Sequence, residues 1–408
     1  MNEKKKLQPK VRFRGFTGKN APDWEQRKLG ELSEIVRGAS PRPIQDPKWF
    51  DESSDIGWLR ISDVTNQNGR VHFLEQKISK LAQEKTRVLE TPHLLLSIAA
   101  SVGKPVINYT KTGVHDGFLI FINPKFDLYF MFQWLEMFKP IWQKYGQPGS
   151  QVNLNSDIVK NHKINIPSDH EQEHIGQFFE KIDKLITLHQ RKLEQLEELK
   201  NTLLSKMFPK SETNIPEIRF SGFTDAWKQR KLGEMSTSFS GGTPTVGVRE
   251  YYNGEIPFIR SAEIGKCKTE LYISKLGLDN SSARLVSKGD ILYAMYGATS
   301  GEVARSQIDG AINQAILVIK PVQSVDSEYI TQWLRKNKQK IIKTFLQGGQ
   351  GNLSASIIKN LKVYFPTIEE QQKIGNVFNS FDRSLKFHLN RINELKCLKN
   401  NLLNKMFI

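Results

Sequence analysis

The residues with the strongest look of chemistry are His170-Glu171-Gln172-Glu173-His174, an H-E-x-x-H run. Two histidines at i and i+4 on a helix can chelate zinc, with the glutamate as general base of a hydrolase. The chain itself argues against that use. It writes the segment again as Glu369-Glu370-Gln371-Gln372-Lys373, keeping the Glu-Gln pair and neither histidine. No third ligand is evident, and the run opens a long helix instead of lining a cleft. Glu171-Gln172 and Glu370-Gln371 then fall in a first helical turn, where acidic groups meet the positive end of the helix dipole. Other catalytic signatures are missing. There is no G-x-x-x-x-G-K-[ST] phosphate loop, no G-x-S-x-G elbow, and neither the Asn-Pro-Pro-aromatic motif nor the Gly-rich cofactor loop of an adenine methyltransferase. Cys267 and Cys397 are too few for a disulfide framework or a Cys-rich zinc site. The sequence therefore offers no catalytic residue, no metal site and no cofactor.

What it offers instead is charge. The 408 residues carry a formal net charge of +16, which favours a polyanionic partner. Charge alone does not separate DNA from RNA or from an acidic protein. The longest apolar run, Leu94–Ala100, is far short of the roughly 20 residues of a membrane span. The N-terminal MNEKKKLQPK has no apolar stretch behind it and does not read as a secretory leader. A cytoplasmic protein is expected.

Any binding side chains must be held by something, and the scaffold is written twice. Residues 169–208 read as one long amphipathic helix with a seven-residue apolar grid. Ile175, Ile182, His189, Leu196 and Leu203 form one row; Phe179, Ile186, Leu193, Lys200 and Met207 form the other. Residues 368–408 repeat it, with Ile374, Phe381, His388, Leu395 and Leu402, then Phe378, Leu385, Ile392, Lys399 and Met406. Even the polar defects match, His189 with His388 and Lys200 with Lys399. The two helices are expected to pair as an antiparallel coiled coil about a pseudo-twofold axis, with the polar seam residues fixing register.

The segments before the helices repeat as well. Val11–Thr17 returns as Ile218–Thr224, and W-E-QRKLGE at Trp24 returns as W-K-QRKLGE at Trp227. Trp58–Val64 returns as Phe258–Ile264, and Ser101–Gly103 as Thr299–Gly301. The interiors, roughly 37–147 and 240–346, agree only in scattered places, as two similar scaffolds with different surfaces would. Short strands are expected at Trp58–Val64, Ile256–Ile264, Leu94–Ala100, Ile291–Tyr296, Phe118–Ile122 and Ile316–Ile319; helices at Tyr129–Tyr145 and Glu328–Leu346. The fold class is α+β. The expected division is a lead (1–20), a first body (21–168), a first long helix (169–208), a Pro-flanked linker (209–220), a second body (221–367) and a second long helix (368–408).

Taken in order and twice over, these features resemble the specificity (S) subunits of type I restriction–modification systems. The motifs are the W-x-QRKLGE leads, the P-x3-EQ-xx-IG helix starts at Pro167 and Pro366, the LL-x-KMF ends at Leu203 and Leu402, and the body–helix–body–helix order. The resemblance covers nearly the whole chain. It implies that each body is a target recognition domain reading one half of a split DNA sequence. It implies that the helices space the bodies and dock two modification (methyltransferase) subunits, which methylate adenine, and that restriction (translocase/endonuclease) subunits join that core. The specificity subunit itself performs no chemistry.

Base edges are read by basic and amide side chains, Arg pairing with guanine and Asn or Gln with adenine. That nominates Arg42, Arg60, Ser62, Ser101, Lys104, His115 and Gln151 in the first body. Thr243, Arg260, Ser261, Tyr296, Thr299, Gln314 and Gln350 are nominated in the second. Matched positions such as Arg60 and Arg260 suit phosphates, and unmatched ones suit bases. Two other classes stay open from the residues: an enzyme fused to its recognition domain, and a coiled-coil adaptor for proteins.

Overall fold

The computed structural model describes residues 7–18, 21–99, 101–145, 154–210, 213–346 and 352–408. They fall into two compact units, Met1–Gln190 with Asn390–Ile408, and Arg191–Leu389. The nominated Gln151 and Gln350, with their glycine-rich loops, lie outside the described residues.

In the first unit a five-stranded sheet is ordered Glu34–Arg37, Phe118–Ile122, Leu94–Ser97, Pro105–Asn108, Arg70–Val71. A three-stranded sheet, Gly57–Trp58, Thr112–Val114, Arg87–Leu89, stands beside it, and the lead strand Glu25–Lys28 pairs with Lys163–Ile166. The apolar run Leu94-Leu-Leu-Ser97 is buried at every position, as a central strand covered on both faces must be. The segment from Trp58 to Val64 is not one strand. Its strand ends at Trp58, and Ile61–Asn66 is a helix. Arg60 and Asp63 stand three apart and form a capping box, which turns the chain there.

The second unit repeats the plan. Its four-stranded sheets run Ser236–Ser240, Ile316–Pro321, Ile291–Ala294, Val303–Arg305 and Leu271–Ile273, Tyr252–Ile259, Gly310–Ile312, Arg284–Val286. Lys228–Lys231 pairs with Lys362–Phe365. Here too the expected strand over Ile256–Ile264 stops at Ile259, and Ser261–Glu263 is a short 3-10 turn.

The long helices span Asp169–Lys206 and Ile368–Met406. On the first, Ile175, Phe179, Ile182 and Ile186 are buried, and His189, Leu193, Leu196 and Leu203 are half-buried. On the second, Ile374, Phe378 and Ile392 are buried, and Phe381, Leu385, His388, Leu395 and Leu402 are half-buried. Of the apolar residues off those two rows, Leu185, Leu188, Leu199, Phe387, Leu389 and Leu398 are exposed, Phe178, Leu204 and Val377 are half-buried, and Leu403 is buried.

Each body grips these helices through the same aromatic and ionic anchors. In the first unit Phe407 packs on Trp24, Phe130 and Phe179. In the second, Phe208 packs on Trp227, Tyr329 and Phe378. Glu171 and Glu370, both at 0% exposure, take bidentate bonds from Arg12 and Arg219 of the leads. Gln172 and Gln371 accept from the backbone of Asp127 and Asp326 and donate to the carbonyls of Pro167 and Pro366. The repeated Glu-Gln pair is thus a buried polar bolt, a stronger role than a dipole contact alone.

Candidate nucleic-acid interface

In each body, one surface loop approaches the turn that follows a central strand. Gly38–Pro43 lies against His115–Gly117, and Gly241–Thr245 lies against Asn313–Ala315. The approach requires glycine. A Cβ on Gly38 would stand 2.1 Å from the His115 carbonyl oxygen, and one on Gly241 2.0 Å from that of Ile312. In the first body Ser40 Oγ donates to Asp116 Oδ1 at 2.9 Å, and Arg42, largely exposed, reaches Asp116 Oδ2 at 2.8 Å. At the matching place in the second body Thr243 Oγ1 donates to Gln314 Oε1 at 2.7 Å, and both residues are exposed. The scaffold is the same and the offered chemistry is not. Asp116 only accepts, whereas Gln314 can both donate and accept. Burial pushes the Asp116 carboxyl up, but the Ser40 hydroxyl with Arg42 and Arg37 outweighs it and holds Asp116 below the usual range. Residue type alone does not single out Asp116 or Ser40. The available signal was the alignment of His115-Asp116 with Asn313-Gln314 just before the strands that open at Phe118 and Ile316.

His115 is turned inward. Its Nδ1 accepts from the Gly117 N–H at 2.9 Å, its ring packs on Trp58 and Phe118, and burial lowers its pKa. Arg60 and Arg260 are engaged too. Arg60 is bidentate to Asp63 and reaches Glu75 at 2.8 Å. Arg260 is bidentate to Glu263 and reaches Glu270 at 2.6 Å. Burial alone would raise the Glu263 carboxyl, but hydrogen bonds from Arg260, the Glu270 and Arg260 backbone, and Thr269 hold it down to about 2. Ser62 is exposed on the Ile61–Asn66 helix. Ser101 is half-buried, and Lys104 pairs with Glu136 at 3.4 Å. In the second body Glu302 stands where Lys104 stands in the first and pairs with Lys338, so the polarity of that link is reversed. Ser261 and Thr299 line one cleft of about 520 Å³ with Gly265 and Arg335, and Tyr296 bridges to Asn352.

The H-E-x-x-H run is occupied by packing. His174 Nδ1 lies 2.8 Å from the His170 carbonyl oxygen, and both rings pack on Phe16. Among the described residues no three His, Cys, Asp or Glu are grouped to hold a metal ion. No described helix is long and apolar enough to cross a membrane.

Comparison with known proteins fits this architecture. The profile of the type I restriction modification DNA specificity domain matches residues 22–198 and 224–397. The chain is 27% identical over 179 residues to the type I restriction enzyme MjaIX specificity subunit of Methanocaldococcus jannaschii, covering 42% of this chain and 41% of that protein. It is 20% identical over 413 residues to the MjaVIII specificity subunit of the same organism, covering 96% and 94%. It therefore spans less than half of the first relative's length and nearly all of the second's. The crystal structure of a type I restriction-modification S subunit from M. genitalium superposes with a TM-score of 0.70 over 98% of this chain and 99% of that one. At 14% identity that likeness is one of fold. With the profile matching both halves in turn, the chain belongs to the family of type I restriction–modification specificity subunits.

Proposed function

We propose that this chain reads a bipartite DNA target, one half with each body, and directs adenine methylation and restriction by subunits it gathers. The observation that carries this reading is the pair of equivalent loops with different polar groups, Ser40–Asp116–Arg42 in one body and Thr243–Gln314 in the other. A carboxylate accepts from the amino group of cytosine, Arg donates to guanine, and Gln suits adenine. Of the other nominated residues Ser62 is exposed and Ser101, Lys104, Ser261, Tyr296 and Thr299 are half-buried; these supply further phosphate or base contacts.

The long helices act as an antiparallel spacer. Support comes from within each unit. Asp183 and Phe179 of the first helix meet Lys399 and Phe407 of the second, and Lys200 and Phe208 meet Asp382 and Phe378. Numbers rise along one helix as they fall along the other. The exposed Leu188, Leu199, Phe387 and Leu398 give the helices an apolar outer face suited to two modification subunits, since protein interfaces centre on apolar side chains. Restriction subunits join that assembly, in the cytoplasm.

The test is to replace residues 21–168 by a second copy of 221–367 and map methylated adenines. A target with two identical half-sites is expected. A target unchanged in both halves would overturn the reading.

A further inference from the structure

The W-x-QRKLGE leads hold a feature that folding does not explain. Most of the motif has structural work. Trp24 and Trp227 are 2% exposed, and Leu29 and Leu232 are 0% and 1% exposed. The leucine N–H groups donate to the carbonyls of His162 and Leu361 at 3.0 and 2.9 Å. Glu31 and Glu234 accept from the N–H groups of Lys28 and Lys231 and cap the start of the turn. A Cβ on Gly30 would come 3.2 Å from Lys160 Cβ, and one on Gly233 3.0 Å from Lys359 Cβ, so the glycines let those lysines lie against the turn.

The lysines have no such role. Lys28 stands directly opposite Lys163 in the antiparallel pairing, and Lys231 stands directly opposite Lys362. All four are exposed, and none pairs with a carboxylate of the described residues. The nearest polar partner of Lys28 is the Asn161 side-chain oxygen at 3.3 Å. Like charges directly opposite across a strand pair are destabilising. The cost is incurred in both units, at matching positions, in bodies whose interiors have diverged.

We infer that the Lys28–Lys163 and Lys231–Lys362 pairs, with Lys160 and Lys359 beside them, form one sequence-independent docking point per body for the DNA phosphate backbone. Identical surfaces on unlike bodies suit a ligand that is the same beside either half-site, and phosphate is that ligand whatever the bases. In these strand pairs Ile164, Ile166, Val363 and Phe365 are buried, and Tyr364 is half-buried against the core. Protein interfaces centre on apolar side chains, and large apolar residues stand exposed on the long helices and not on these strand pairs. The inference rests on the proposal that the chain binds DNA, and it gives the leads a part in that binding.

The test uses the full chain assembled with its modification subunits and a random-sequence duplex, titrated across a salt series. The variant Lys28→Ala/Lys163→Ala/Lys231→Ala/Lys362→Ala should bind more weakly at low salt. Its log-affinity against log-salt slope should be shallower by about 1 for each phosphate that is no longer neutralised. Assembly with modification subunits and the methylated sequence should be unchanged. A second variant, Lys28→Glu/Lys231→Glu, turns each repulsive pair into an attractive one. It should melt higher than wild type while binding DNA more weakly still, which separates the ligand from the fold. An unchanged salt slope in both variants overturns the inference, even if aggregation rises as expected of lysines that only guard a strand edge. So does loss of modification-subunit assembly with DNA binding intact. A wild-type assembly that binds no duplex overturns the inference and the proposed function together, whereas a binding wild type with indifferent variants overturns the inference alone.

Discussion

Arg260 marks the limit of what a single residue's type reveals. A guanidinium on a turn before a surface loop suits base reading, and its match with Arg60 suits phosphate. In the structure both lie in carboxylate networks, Arg260 with Glu263 and Glu270. Arg260→Ala should therefore lower stability by about 2 kcal/mol, because Glu263, 4% exposed, loses its charged partner. Denaturant unfolding of wild type and variant measures it. The pH dependence follows from the same carboxyl. Glu263 is held down to about 2, below the ~4.3 of an unfolded glutamate. Its contribution is full above pH ~4.3 and is lost as pH falls from there toward about 2. Melting of wild type should drop through that window, and Glu263→Gln should start lower and flatten the drop. The Arg-x-x-Glu spacing that makes the capping box stands in the sequence, but it is hidden there by the strand-like run Ile256–Ile264. The third partner, Glu270, is not legible there, because its approach depends on the pairing of two strands.

At the scale of elements, the seven-residue grid is written in the sequence, and its residues are buried or half-buried on both helices. The partners of its polar defects are not legible there, because they lie on the opposing helix and on the bodies. Lys399 bonds Asp183 at 2.6 Å, and Lys200 bonds Asp382. Each aspartate also takes an amide from its body, Gln133 at 2.7 Å and Gln332 at 2.9 Å, and a guanidinium, Arg70 at 2.9 Å and Arg335 at 2.6 Å. Burial pushes both carboxyls up, and these cations more than reverse it. One acid in each unit thus ties two helices and a body at a single register. Asp183→Asn or Asp382→Asn should cost about 3 kcal/mol, since a half-buried lysine loses its counter-ion. Restoring charge balance with Lys399→Met or Lys200→Met in the same chain should recover part of it, read as a double-mutant cycle by thermal melting. His189→Leu with His388→Leu measures the histidines' share by the same readout.

At the scale of the whole molecule, the repeat told more than any motif did. It exposed the two-body plan and, by failing in the interiors, pointed to where the bodies differ. The roles of Ser40 and Asp116 are not legible in sequence, because serine and aspartate are ordinary turn residues until the glycine at position 38 brings the two segments together. Helices of 38 and 39 residues are about 57 Å long at ~1.5 Å per residue, against a DNA turn of ~34 Å, so such a spacer can separate two readers by more than one turn. If the helices set the gap, their length should appear in the target. The most direct measurement is genome-wide mapping of methylated adenine in cells that lack this chain, carry it, or carry it with one extra turn of ~4 residues inserted in both long helices. The account predicts no bipartite target without the chain, a single one with it, and the same two half-sites about one to two base pairs further apart with the lengthened helices. An unchanged gap, or altered half-sites at the old gap, would contradict it.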